Sequence, residues 1–64
     1  MPTILFYGPD LDRDKKREMV KVFTKAASEA TGIRESAFVV YLIPTSDDTV
    51  AVGGELLADR RGSK

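Results

Sequence analysis

Cysteine and histidine are both absent from the 64 residues. Their absence excludes disulfides, thiol catalysis, a histidine base and every ordinary zinc site. An excess of either charge is also missing, because ten basic and ten acidic residues cancel. Proteins that hold nucleic acid through its phosphates normally carry a basic excess, so no nucleic-acid partner is expected. No apolar run approaches the roughly 20 residues that span a bilayer, so no membrane partner is expected either. A charged stretch followed by a long apolar core, the mark of a signal peptide, is lacking at the N-terminus. The default expectation is a soluble cytoplasmic protein that holds no metal.

The chain is also short. Residues 1–64 allow one domain at most. Such a domain buries only about 60% of the surface its unfolded chain exposes and is marginal alone. Disulfides and metals are unavailable, so association with other copies of itself is the remaining source of stability.

Residues 3–7, Thr-Ile-Leu-Phe-Tyr, are apolar, β-branched or aromatic, and Gly8-Pro9 closes them with a turn signal. They read as a first strand, with Pro2 tolerated at its start. Asp12 is a good helix N-cap and Gly32 a good C-terminal stop. Between them Met19, Phe23, Ala26 and Ala30 recur at helical spacing, and Val20, Val22 and Ala27 widen the stripe. Lys15, Lys21, Lys25 and Glu29 occupy the other side, so an amphipathic helix is expected. Residues 37–43, Ala-Phe-Val-Val-Tyr-Leu-Ile, read as a second strand stopped by Pro44. After a polar turn at 45–48, residues 49–52 read as a third short strand ending at Gly53-Gly54. Residues 55–58 suit a hairpin arm or a helical turn equally. The charged tail, 60–64, reads as a loose end.

Strand, helix, strand is a βαβ unit with parallel strands and a right-handed crossover. The fold class expected is α/β (α+β), a single βαβ subunit with a short C-terminal strand or hairpin. In the second strand Phe38, Val40 and Leu42 point one way and Val39, Tyr41 and Ile43 the other, so both faces are apolar. One helix covers one face. Parallel strands are normally buried on both sides, so the other face requires further copies of the chain.

Most catalytic groups are missing. Gly8-Pro9-Asp10 is too short for a phosphate loop, and its proline lacks a donor. Ser28 and Ser36 have no base that sequence can assign. Pro2 remains. Initiator methionine is generally removed before a small residue such as proline, which would leave Pro2 with a terminal secondary amine. An α-amino group ordinarily titrates near pH 8. Apolar neighbours such as Phe6, Phe38 and Tyr41 would lower that value by disfavouring the ammonium. A base poised near neutrality suits general acid–base catalysis. The plainer alternative is that Pro2 does nothing beyond permitting loss of Met1.

Met1-Pro2 runs directly into the first strand. The expected helix follows, carrying Lys16-Arg17-Glu18-Met19-Val20, then the strand at 37–43, a polar loop, and Val50-Ala51-Val52-Gly53-Gly54-Glu55-Leu56. This layout resembles the 4-oxalocrotonate tautomerase family over almost the whole chain. The resemblance implies a tautomerase-type βαβ subunit whose dimers assemble into a homohexamer. It implies an isomerase in which the processed N-terminal proline, here Pro2, is the general base. The reaction implied is keto–enol or enol–enone isomerisation of a small unsaturated 2-oxo acid, with no cofactor.

The chain departs from the family pattern at three places. The arginine usual in the loop before the helix falls at or near Leu11. A second arginine, early in the second strand, falls near Phe38. The aromatic residue before Gly-Gly is replaced by Val50. In the family the two arginines bind the substrate's carboxylates and its 2-oxo or 2-hydroxy oxygen, a task suited to a planar fork of donors. Leucine and phenylalanine cannot do this. Arg13, two residues past Leu11, is a candidate substitute for the missing loop cation, with a solvent-facing first-turn charge as its plainer reading. Arg34, Arg60 and Arg61 are weaker candidates. Lys15 and Lys16 read as surface charge. Phe38 and Val50 are candidate pocket linings. A second function class is a non-catalytic oligomeric ligand-binding or scaffold protein on the same fold, and the lost arginines and Val50 favour it.

Overall fold

The computed structural model of the protein describes residues 1–62. Strand β1 (Thr3–Gly8) leads into helix α1 (Arg13–Thr31). A single 3-10 turn (Glu35–Ala37) precedes strand β2 (Val39–Pro44). A hairpin of β3 (Ala51–Val52) and β4 (Glu55–Leu56) then runs into a short helix α2 (Leu57–Gly62). β1 and β2 are parallel, with Thr3 opposite Val39 and Gly8 opposite Pro44. This is the βαβ unit with a C-terminal hairpin expected from the sequence. No helix among the described residues is long and apolar enough to cross a membrane.

The ends of α1 follow from capping chemistry. Asp12 Oδ1 accepts the Lys15 N–H at 2.9 Å, satisfying one of the orphan donors of the first turn. At the other end Gly32 adopts φ 77°, and its N–H donates to the Ser28 carbonyl at 2.8 Å. A β-carbon at Gly32 would meet nothing within 4 Å, so the glycine is required by its backbone conformation and not by space. Gly32→Ala is therefore expected to cost about 1 kcal/mol, as is Asp12→Ala. Urea unfolding of each variant measures this, and loss of neither would remove the caps from the account of where α1 ends.

Strand β2 begins two residues later than the sequence suggests. Arg34 and Glu35 carbonyls accept the N–H groups of Ala37 and Phe38 at 3.1 and 3.0 Å, so those residues are committed to the 3-10 turn. Phe38 is thus the residue before the strand and not part of its alternation. The third strand is likewise shorter than expected. Thr49 donates its N–H to the Ser46 carbonyl at 3.0 Å, and its hydroxyl oxygen accepts the Ser46 N–H at 3.0 Å. That turn consumes Thr49 and leaves only Ala51 and Val52 to pair. Gly53 and Gly54, both with positive φ, make the two-residue hairpin turn. Residues 55–58, ambiguous in sequence, supply both a hairpin arm and the first turn of α2. Arg60–Gly62 continue that helix instead of fraying from Arg60, and Ser63 and Lys64 lie outside the described residues.

α1 covers one face of the sheet. The Phe23 ring sits 5.7 Å from that of Phe6, and Ile4, Phe6, Val40 and Leu42 are half-buried on that side. The helix stripe differs slightly from expectation. Met19, Val20, Phe23 and Ala27 turn inward with Thr24 and Ser28, whereas Val22, Ala26 and Ala30 are exposed. The opposite face is uncovered, and there Leu5, Tyr7 and Tyr41 are 54%, 65% and 54% exposed.

Among the described residues none is fully buried. The chain exposes 5049 Å², against about 4,000 Å² for a compact monomer of this mass. Its radius of gyration is 15.3 Å, against about 11 Å for a compact chain of 64 residues. The excess of about 1,000 Å² is comparable to the ~800 Å² that each partner buries in a standard protein interface. Covering the apolar share of it is worth on the order of 10 kcal/mol per subunit as an upper bound. That is the size of a whole domain's net stability. Self-association is thus the condition for a core.

Candidate active site

The entry to β1 is fixed by one backbone bond. The Val39 N–H donates to the Pro2 carbonyl at 3.0 Å, so the start of β2 anchors Pro2 before the ladder begins. Phe38 is the residue immediately before that donor, and it is half-buried, as is Pro2. Pro2 and Phe38 therefore share one end of the parallel sheet. Met1, which precedes Pro2, is 90% exposed.

The other two candidates lie at the far end. Arg13 opens α1, which starts just beyond the C-terminal end of β1, and it is exposed. Val50 lines a cavity of about 400 Å³ together with Tyr7, Pro9, Asp47 and Leu57. Its carbonyl accepts the Leu57 N–H at 2.9 Å. Six strand residues separate this end from Pro2, about 20 Å at 3.3 Å per residue. Within one chain, then, Pro2 shares its end of the sheet with Phe38, and Arg13 and Val50 lie at the other end.

The loop that carries Leu11 is organised by a pair absent from the sequence reading. Lys16 Nζ contacts Asp10 Oδ1 at 2.9 Å. The Lys16 hydrogen bond, and then its charge, hold the Asp10 carboxyl below the usual aspartate range. Leu11 and Lys16 line a small crevice there with Leu42 and Pro44. Lys16 is thus a half-buried loop clamp and not simply surface charge. The spacing Asp10 to Lys16 carried no helical signal, because Asp10 precedes the helix.

Arg34 sits at the Pro2 end. Its backbone N-caps the 3-10 turn that delivers Phe38 and Val39, and its Nε donates to Ser36 Oγ at 3.1 Å. Sequence alone sets it behind Arg13, since the 3-10 turn has no periodic signature. Among the described residues no group of three or more His, Cys, Asp or Glu side chains is placed to hold a metal ion.

A family model described as "Tautomerase enzyme" matches residues 2–60. Among solved structures, DmpI from Archaeoglobus fulgidus is similar to this chain at 41% identity, with a TM-score of 0.81. That match covers 91% of this chain and all of the other. YwhB, a homologue of 4-oxalocrotonate tautomerase, is 30% identical with a TM-score of 0.81, over 91% of this chain and 97% of its own. TomN, a 4-oxalocrotonate tautomerase homologue of the tomaymycin biosynthetic pathway, is 26% identical with a TM-score of 0.84, over 95% of each chain. Comparison with curated proteins gives no match. A match that runs from Pro2 to Arg60, with similar folds in relatives 41% and 30% identical, places this chain in the tautomerase family, among the homologues of 4-oxalocrotonate tautomerase.

Proposed function

We propose that the protein is a cofactor-free tautomerase in which Pro2, freed by removal of Met1, is the general base. The observation that carries this reading is the family match beginning at Pro2 itself, the residue tied to β2 beside Phe38. The substrate is a small enol or unsaturated 2-oxo acid. The neutral ring nitrogen takes the proton of the enol hydroxyl, and the electron pair moves through the conjugated system. The resulting ammonium returns the proton to carbon, so the net change is one proton moved and nothing oxidised or reduced. The ring fixes the direction of the lone pair, and only the unprotonated nitrogen acts as the base.

The working form is a homo-oligomer, a homohexamer built as a trimer of dimers as the family resemblance implies. Two features support it: the uncovered Leu5, Tyr7 and Tyr41 face, and the ~20 Å between Pro2 and the Leu11, Arg13 and Val50 end. Neighbouring copies bring these ends together, with Phe38 and Val50 as apolar lining and Arg13 as a contact across the interface.

Two measurements on natively expressed protein test the reading. Intact mass is expected to correspond to the chain without Met1, and phenylenolpyruvate is expected to ketonise faster with protein than without. Retention of Met1 overturns the mechanism, since the Pro2 nitrogen is then a tertiary amide with no basicity.

A further inference from the structure

We infer that Arg34 receives the substrate's carboxylate, so that the preferred substrate carries a single carboxylate and an apolar remainder; this rests on the reading of Pro2 as the base. Position comes first. Arg34 is the one cation in residues 28–39, the segment that delivers β2 to Pro2. A 3-10 turn and two extended residues put its Cα within about 14 Å of that of Val39, and Val39 is bonded to the Pro2 carbonyl. An arginine side chain and a small acid together span such a gap.

Orientation comes second. Ser36 Oγ accepts from Arg34 Nε at 3.1 Å, which ties the guanidinium to the 3-10 turn. That bond uses neither terminal nitrogen, and Arg34 makes no ion pair among the described residues. The two terminal NH2 groups stay together as an open fork, the geometry that meets a carboxylate bidentately. Other cations differ. Lys16 and Arg17 are engaged by Asp10 and Asp14, and Arg60 faces Glu55. Arg13 opens α1 at the far end of the sheet from Pro2 of its own chain and approaches a Pro2 only across an interface.

Chemistry comes third. Phe38 lies between Arg34 and Val39, the residue bonded to the Pro2 carbonyl, and its side chain offers no donor. A second carboxylate there would lose its water without gaining a partner. An aryl or alkyl group loses nothing.

Steady-state kinetics on the intact oligomer test this, with phenylenolpyruvate (one carboxylate) and 2-hydroxymuconate (two) as probes. The parent is expected to have the higher kcat/KM for phenylenolpyruvate. Arg34→Gln is expected to raise its KM at least tenfold with kcat within threefold, and Arg34→Lys to recover part of the loss. Ser36→Ala, which frees Nε, is expected to raise KM by a smaller factor, while Lys21→Gln, on the exposed side of α1, leaves KM within twofold. A KM within twofold of the parent in Arg34→Gln, when blocking Pro2 abolishes turnover, overturns the Arg34 assignment and leaves Pro2 standing. Turnover that survives blocking of Pro2 overturns both. Sedimentation of each variant establishes that assembly is unchanged.

Discussion

Leaving one residue in front of Pro2 is expected to abolish enol ketonisation, and Pro2→Ala to lower it at least tenfold, about 1.4 kcal/mol of barrier. The two changes separate basicity from geometry. In the extended chain the ring remains but its nitrogen becomes an amide, whose lone pair is delocalised and cannot accept the proton. In Pro2→Ala the small second residue still permits loss of Met1, and a primary amine of ordinary basicity remains. What is lost is the fixed direction of the lone pair that the ring imposes. The blocked form should therefore lose more than the alanine form. For the parent, kcat/KM is expected to fall as pH drops through the amine's pKa, because the ammonium cannot act as base. Turnover that is indifferent to both changes, in protein that still assembles, would leave the scaffold reading in possession of the fold.

The second large effect concerns assembly. Tyr41→Asp and Leu5→Asp are each expected to eliminate the oligomer and, with it, most of the helical signal in far-UV circular dichroism. These side chains lie opposite one another in the β1–β2 register, on the face α1 does not cover. Covering an unpaired carboxylate there costs several kcal/mol. The released subunit has no fully buried residue among those described, and a two-stranded sheet with one helix has too little interior to persist. Lys21→Asp, on the exposed side of α1, is the control expected to leave assembly intact. A parent chain that sediments as a folded 7.0 kDa monomer at micromolar concentration would refute this account.

Where the sequence was sufficient, the cause was local. Asp12 and Gly32 act within one helical turn, so the limits of α1 are written in those residues and their neighbours. The apolar runs at 3–7 and 39–43 encode strands because their β-branched and aromatic side chains suit a pleated surface. Gly53-Gly54 encodes the hairpin turn through positive φ. Met-Pro at one end and Val-Gly-Gly-Glu-Leu near the other carried the family, confirmed over residues 2–60.

Where it was not, the deciding contact lay across the chain or in a turn without a period. Phe38 reads as strand until the Glu35 carbonyl takes its N–H, and Thr49 reads as strand until Ser46 does the same. The Lys16–Asp10 pair spans the helix start, where no repeat predicts neighbours. The distribution of the candidate site is the largest such case. Pro2, Arg13, Phe38 and Val50 are only names along a line until the parallel register sets Thr3 against Val39. That pairing puts Phe38 and Arg34 at the Pro2 end, and Arg13 and Val50 a strand's length away. Composition, capping and alternation are short-range properties, and 64 residues suffice to state them. Which ends of the sheet carry which side chains depends on long-range pairing, and only the folded subunit fixes it.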